Sequence, residues 1–241
     1  MQLHTHMGGL EVEIFQQSAG APRAAVILCH GFGAPGDDLV GLAPALVHAA
    51  PALADVRFHF PAAPLSLGEL GWGDSRAWWM IDMVAIQKLQ TNPAALREFR
   101  KQEPEGMAAA RKAVHAVVQK VLDSTGLAMS KVVLGGFSQG AMITTDVALR
   151  TEEAAAGLCV LSGTLLLEDA WREKARARSS LHVFQSHGRQ DPVLPYEAAT
   201  WLQDLLVQAG LQHEFVPFAG GHTIPAEVLS RLATFLERRL A

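Results

Sequence analysis

From Ala24 to the C-terminus, short apolar runs alternate with amphipathic segments, and that alternation limits the fold more tightly than any other feature. AAVILCH (24–30) is apolar almost throughout, the pattern of a strand covered on both faces. VRFHFP (56–61), KVVLGG (131–136), GLCVLSG (157–163), LHVFQSHG (181–188) and HEFVPF (213–218) read as further strands. Helical spacing falls between them, in DDLVGLAPALVHAA (37–50), QGAMITTDVALR (139–150), a short charged helix near EDAWREKARAR (168–178), YEAATWLQDLLVQAG (196–210) and PAEVLSRLATFLERRL (225–240). In EGMAAARKAVHAVVQKVLDSTG (105–126), Met107, Ala110, Val114, Val117, Val118, Val121 and Leu122 share one face, and Gly126 closes the helix. Strands alternating with helices predict an α/β fold, a mainly parallel central sheet with helices on both faces. Ahead of this series, LEVEIF (10–15) alternates apolar and polar, as a half-exposed edge strand does.

The 241 residues lie near the upper limit of one hydrophobic core, so a single domain over 1–241 is expected. With 49% hydrophobic and 18% charged residues and a net charge of −4, the chain lacks the basic footprint of a nucleic-acid binder. MQLHTHMGGLEVEIF lacks the basic and apolar regions of a signal peptide, and AAAGLCVLSGTLLL (154–167) is too short for a membrane span. A cytoplasmic protein without stable membrane insertion is expected. Cys29 and Cys159 each sit in an apolar run; reduced buried thiols suit that compartment, and a disulfide between neighbouring strands is the alternative.

In a parallel sheet, ligands bind beyond the carboxyl ends of the strands. Four such ends carry chemistry: His30-Gly31-Phe32-Gly33, Gly136-Phe137-Ser138-Gln139-Gly140, His187-Gly188-Arg189-Gln190-Asp191 and Gly220-Gly221-His222. The second is G-x-S-x-G with a strand before it and a helix after it. Gly136 and Gly140 leave room for a sharp reversal that aims the serine hydroxyl out of the sheet. A serine hydroxyl needs a base to become a nucleophile. His222 is the best-placed candidate, with Asp191 to orient it, and Ser138, Asp191, His222 is a chain order known for such triads. His187 is a rival base, and Glu168 and Asp169 are alternative acids. The backbone N–H groups of Phe32 and Gln139 are the candidate oxyanion donors.

HGFG, the Ala-Pro- and Trp-containing loop, GFSQGAM, HGRQDPVLP and the closing GGH together resemble the phospholipase/carboxylesterase family of α/β-hydrolases, which includes acyl-protein thioesterases and small bacterial carboxylesterases. The resemblance runs from about Ala25 to the C-terminus. It implies the α/β-hydrolase fold, the Ser138–Asp191–His222 assignment and the Phe32 and Gln139 donors, with no metal or organic cofactor. CHGFGAPGD stands where members commonly read Leu-His-Gly-Leu-Gly-Asp, and Trp78-Trp79-Met80-Ile81-Asp82 replaces a Trp-Phe-Asp pattern. Both departures fall near the expected acyl site and bear on substrate size.

Residues 61 to about 92 show no period, are read as a long loop with one helical turn, and hold Trp72, Trp78 and Trp79. These indoles either wall an apolar acyl pocket, with Leu65, Leu67, Trp78 and Met80 as lining, or pack the loop onto the body. His4 and His6 form an H-x-H pair in what reads as an N-terminal tail, and no further ligands with supporting spacing complete a metal site. His30 reads as holding its glycine-rich loop in shape, while His48, His59, His115, His182 and His213 read as surface or half-buried residues. REFRKQEPEG (97–106) reads as a solvated helix end. The sequence thus points to a serine esterase acting on small-molecule acyl esters or thioesters of short to medium chain. A lysophospholipase or acyl-protein thioesterase for longer chains is the alternative, and a non-catalytic binding protein is the alternative of another class.

Overall fold

The computed structural model describes residues 2–241. Its strands are β1 (Gln2–Met7), β2 (Leu10–Phe15), β3 (Ala24–Cys29), β4 (Val56–Pro61), β5 (Leu65–Ser66), β6 (Arg76–Ala77), β7 (Val132–Phe137), β8 (Gly157–Leu161), β9 (His182–Gly188) and β10 (Gln212–Phe218). Its α-helices are α1 (Leu42–Ala49), α2 (Met83–Lys88), α3 (Pro93–Phe99), α4 (Met107–Thr125), α5 (Gln139–Arg150), α6 (Glu168–Arg176), α7 (Tyr196–Gln208) and α8 (Ala226–Leu240). The main sheet has eight strands in the order β1-β2-β4-β3-β7-β8-β9-β10, and β5 pairs with β6 separately. From β4 to β10 every pairing is parallel, whereas β1–β2 and β2–β4 are antiparallel.

The central strands are buried on both faces, and the two-residue period of a strand sorts their side chains into two cores. Ala25, Ile27, Cys29, Val132, Leu134, Leu158 and Val160 join the apolar faces of α4 and α5. Ala24, Val26, Leu28, Val133, Cys159 and Leu161 join α1 and α8 on the other side. Cys29 and Cys159 therefore belong to opposite layers, with β7 between their strands, and both are free thiols. Burial pushes both thiols up, so each behaves as a small apolar side chain.

Buried Asp146 ties three helices together by accepting from Arg111 on α4, from Arg150 on α5 at 2.8 Å and from the Trp171 indole on α6 at 2.8 Å. Its carboxylate is thus fully partnered despite lying in the apolar face of α5.

Several elements differ from the sequence reading. The N-terminal residues form the edge strand β1, joined to β2 by Gly8-Gly9 with φ of 62° and 85°. Positive φ at both turn positions is the geometry a two-residue hairpin needs. LEVEIF is therefore one strand in from the edge, and His4 bonds Glu13 at 2.6 Å instead of lying in a tail. The helix expected from Asp37 begins at Leu42, behind Gly41, which offers no side-chain cap. The long loop holds the β5–β6 pair and α2, and α3 follows it in a stretch read partly as a solvated helix end. Asp82 caps α2 by accepting from Val84 and Ala85, and Asn92 caps α3 by accepting from Ala94 and Ala95. At six and seven residues, these helices are too short for a hydrophobic period to register.

Candidate active site

The turn from β7 to α5 holds Ser138 at φ 55°, ψ −118°, a strained conformation for a residue with a side chain. Its N–H donates to the Leu161 carbonyl at 2.8 Å, which locks the turn to β8. A Cβ on Gly136 would stand 2.5 Å from the Cys29 oxygen and 2.5 Å from the Gly140 carbonyl carbon. One on Gly140 would stand 2.0 Å from the Cys29 oxygen. The two glycines therefore crowd each other, and both crowd the end of β3. A Cβ on Gly31 would lie 3.3 Å from that of Ser138, so the first glycine-rich loop runs directly beside the serine.

Asp191 and His222 come from the loops after β9 and β10. These loops are zipped together: Arg189 N–H donates to the Phe218 carbonyl at 2.9 Å and Gln190 N–H to the Gly220 carbonyl at 3.0 Å. Gly188 permits this, since a Cβ there would meet the Gly221 oxygen at 2.2 Å. His222 Nδ1 donates to Asp191 Oδ2 at 2.6 Å, while Asp191 Oδ1 accepts from the Val193 and Leu194 N–H groups at 2.8 and 2.9 Å. Burial pushes the Asp191 carboxyl up, but the His222 bond and charge and the two N–H donors outweigh it, and the net shift is downward. The Phe137 ring lies 4.8 Å from the His222 ring and backs it. With Nδ1 engaged, Nε2 is the nitrogen available as a base.

Ser138, His222, Gln139 and Phe32 all border one cavity of about 560 Å³. Among the described residues, no acceptor engages the N–H of Phe32 or of Gln139. The Gln139 side chain fixes the Trp-rich segment, accepting from Trp78 N–H at 2.9 Å and donating to the Trp79 carbonyl at 2.8 Å. His30 links the other wall: Nδ1 meets the Gly31 carbonyl at 2.8 Å, Nε2 accepts from Ala63 N–H at 3.0 Å, and its own carbonyl accepts the Trp78 indole N–H at 2.9 Å.

Of the residues named as acyl lining, Met80 borders the cavity and three do not. Leu67 and Trp78 are buried in the body, and Leu65 lies partly exposed on β5. Trp79 rather than Trp78 borders the cavity, and Trp72 joins it edge-on to the Phe32 ring at 5.8 Å. Most of the remaining apolar wall comes from residues the sequence did not nominate, notably Ile86 of α2 and Leu89 just after it, Ala95 and Phe99 of α3, and Met142 of α5. The Asn-Pro start of α3 was the one local signal for that wall.

The rivals do not border the cavity. His187 is fully buried and outside the cavity lining, Glu168 is engaged by Arg100 and Arg172, and Asp169 is exposed on α6. His59 is buried outright, not half-exposed; burial and the Arg57 charge push it down to about 4, so it stays neutral. Among the described residues, no three His, Cys, Asp or Glu side chains converge as metal ligands, and no helix is long and apolar enough to cross a membrane.

The family model described as Phospholipase/Carboxylesterase matches residues 10–240. This chain belongs to that family. It is 32% identical to acyl-protein thioesterase 1 of Neurospora crassa over 223 residues, covering 90% of this chain and 87% of the relative. Against acyl-protein thioesterase 1 of Gibberella zeae the identity is 28% over 229 residues, with 92% and 93% covered. The crystal structure of esterase PE8 superposes with a TM-score of 0.76 at 26% identity, covering 94% of this chain and 97% of that one. A carboxylesterase from Mesorhizobium loti, at 16% identity and TM-score 0.71 with 98% of each chain covered, shares the fold. This chain has the α/β-hydrolase fold and is a hydrolase of the esterase/thioesterase kind.

Proposed function

We propose that this hydrolase is a serine carboxylesterase in which Ser138 is the nucleophile, His222 the general base and Asp191 its orienting acid. The observation that carries this reading is the 2.6 Å Asp191–His222 bond at the cavity that Ser138 also borders. His222 Nε2 takes the Ser138 proton as the oxygen adds to the substrate carbonyl, and the oxyanion is held by the N–H groups of Phe32 and Gln139. His222 then protonates the leaving alcohol or thiol, and the same base activates water to release the acid from Ser138. The apolar cavity takes the acyl chain of a small-molecule ester, of short to medium length, in a single-domain cytoplasmic enzyme; the two free buried thiols are in keeping with a reducing compartment.

A second reading is a thioesterase or lysophospholipase for longer acyl chains. It is favoured by the run of apolar wall along α2 and α3 and by the names of the fungal relatives.

The test is hydrolysis of a p-nitrophenyl ester series from acetate to palmitate, with an acyl thioester alongside, by wild type and Ser138→Ala. The mutant is expected to lose roughly 10⁴-fold or more in kcat on every substrate with its fold intact. Undiminished turnover by Ser138→Ala would remove the serine assignment. A chain-length optimum at butyrate to octanoate supports the first reading; activity still rising at palmitate, or a strong thioester preference, supports the second.

A further inference from the structure

A second histidine touches the same carboxylate from behind. His187, the next-to-last residue of β9, is fully buried, and its Nε2 lies 2.9 Å from the Leu194 carbonyl and 3.3 Å from Asp191 Oδ2. The Leu194 carbonyl can only accept, so Nε2 must carry the ring proton. That proton is donated to the carbonyl, and the N–H dipole stands beside the carboxylate, close to Oδ2 without hydrogen-bonding it. Asp191 thus has donors on both oxygens, Val193 and Leu194 N–H at Oδ1 and His222 at Oδ2, with the His187 ring in contact at Oδ2.

We propose that His187 is a positioning residue that fixes Asp191 and sets how strongly that carboxylate holds the His222 cation. The inference rests on the triad reading above.

The physical argument has two parts. His187 bridges the start and end of the 191–194 turn, so the carboxylate cannot rotate away from His222 without breaking the Leu194 bond as well. The positive end of the Nε2–H dipole, 3.3 Å from Oδ2, also offsets negative charge that would otherwise act on His222. Remove it, and the carboxylate holds the imidazolium more tightly, so the base gains its proton at higher pH. The ionisable groups around this pair are Asp191, His222 and Tyr196, whose ring lies 6.2 Å from that of His187, with Arg189 5.1 Å above the Tyr196 ring. Burial lowers the His187 pKa, as does the His222 charge, against the raising effects of the Leu194 carbonyl and Asp191. A ring kept neutral in this way acts as a donor and not as a competing cation.

The experiment uses the full chain, with His187→Phe, His187→Gln, His187→Asn and Ser138→Ala assayed together on p-nitrophenyl butyrate from about pH 5 to 9. Active sites are counted by fluorophosphonate labelling, so misfolded protein drops out of kcat. For His187→Phe we expect kcat about tenfold lower per labelled site, KM within about twofold, and an acid limb displaced upward by about half a pH unit, the scale of one N–H dipole removed from beside a charged group. Gln can present its amide nitrogen where Nε2 stands and should return the limb to the wild-type position; the shorter Asn should not. If His187→Phe yields no labelled protein, the Gln–Asn pair decides. Acid limbs that coincide in all folded variants overturn the role of His187, as does a Gln variant displaced as far as Phe. Ser138→Ala separates the two ideas: residual activity there sinks the triad reading, whereas a dead Ser138→Ala with coincident limbs sinks only the His187 inference.

Discussion

The carboxyl edge of the sheet and the wall that faces it are built by different rules. At the edge, each chemical group follows a strand, and the glycines nearby stand where a Cβ would meet backbone atoms: 2.0 Å at Gly140, 2.5 Å at Gly136, 2.2 Å at Gly188. The wall is two short helices, each capped by its own carboxylate or amide, sharing a small cluster of Ile86, Leu89 and Leu96 with Ala198 of α7. It is fastened to the body mainly by side chains: Gln90 donates to the Asp191 carbonyl at 3.1 Å, Arg100 pairs with Glu168 at 2.8 Å and lies 4.5 Å over the Trp201 ring, and at the end of α3 the Arg100 carbonyl also accepts from Glu168 N–H at 3.0 Å. Backbone packing leaves no slack at one region, and side-chain packing leaves a choice of residues at the other. The proposed catalytic groups and the proposed acyl wall therefore reside in parts of the molecule that tolerate change very differently.

The largest test of that contrast is Gly140→Ala. The new methyl would collide with the Cys29 carbonyl, which belongs to a central strand and cannot move aside, so the β7–α5 turn must shift. Stability should fall by about 3 kcal/mol or more and turnover by roughly 100-fold, because Ser138, the proposed nucleophile, is displaced by a fraction of an ångström or more. Gly126→Ala is the control: at φ 71° in open space it should cost only about 1 kcal/mol and leave kcat unchanged. Urea melts and active-site labelling of both variants measure this, and a Gly140→Ala enzyme with wild-type kcat would dissolve the distinction.

The same contrast governs what the sequence discloses. Ser138 stood out because its chemistry depends on a strand, two glycines and a helix within one short stretch, all written locally. The central strands were equally plain, since burial on both faces removes polar residues from continuous runs such as AAVILC and VVL. The wall was not plain. Ile86, Ala95 and Phe99 meet the cavity only through the folding of a segment with no period, and Trp78 and Trp79 differ by a single step along the chain yet face opposite ways. β1 escaped notice because most of its residues are exposed on both faces, leaving no alternation to read. Asp146 looked like one polar residue in a helix, and its partners Arg111 and Trp171 lie 35 and 25 residues away. His187 was read as a rival base, because spacing alone cannot tell a residue that faces substrate from one that faces the acid from behind.

A smaller effect is expected from filling the wall. Ala95 is half-buried on α3 and borders the cavity, so Ala95→Phe would occupy space that the proposed reading gives to the acyl chain. Relative kcat/KM for p-nitrophenyl decanoate against acetate should fall about tenfold, the worth of one or two methylene contacts, with acetate hydrolysis within about twofold of wild type. Equal losses on both esters would mean that the wall also positions the chemistry. An unchanged ratio would mean that the chain leaves by another route.

The smallest effect sharpens the boundary between the two regions. Asp82→Ala and Asn92→Ala each remove a side-chain acceptor from a helix N-terminus, at a cost of about 1 kcal/mol that falls on the short helix itself. If the wall opens as its own unit, amide exchange over 83–99 should quicken several-fold while the β7 amides keep wild-type protection, as expected for a segment resting on a small separate cluster. Gln90 is the one direct bond from this wall to Asp191, so Gln90→Ala belongs in the same set. Should the cap variants slow acetate hydrolysis as much as Gln90→Ala does, order in the wall reaches the acid through that bond. Should only Gln90→Ala slow it, the bond is local, and the helices can loosen without disturbing the sheet edge.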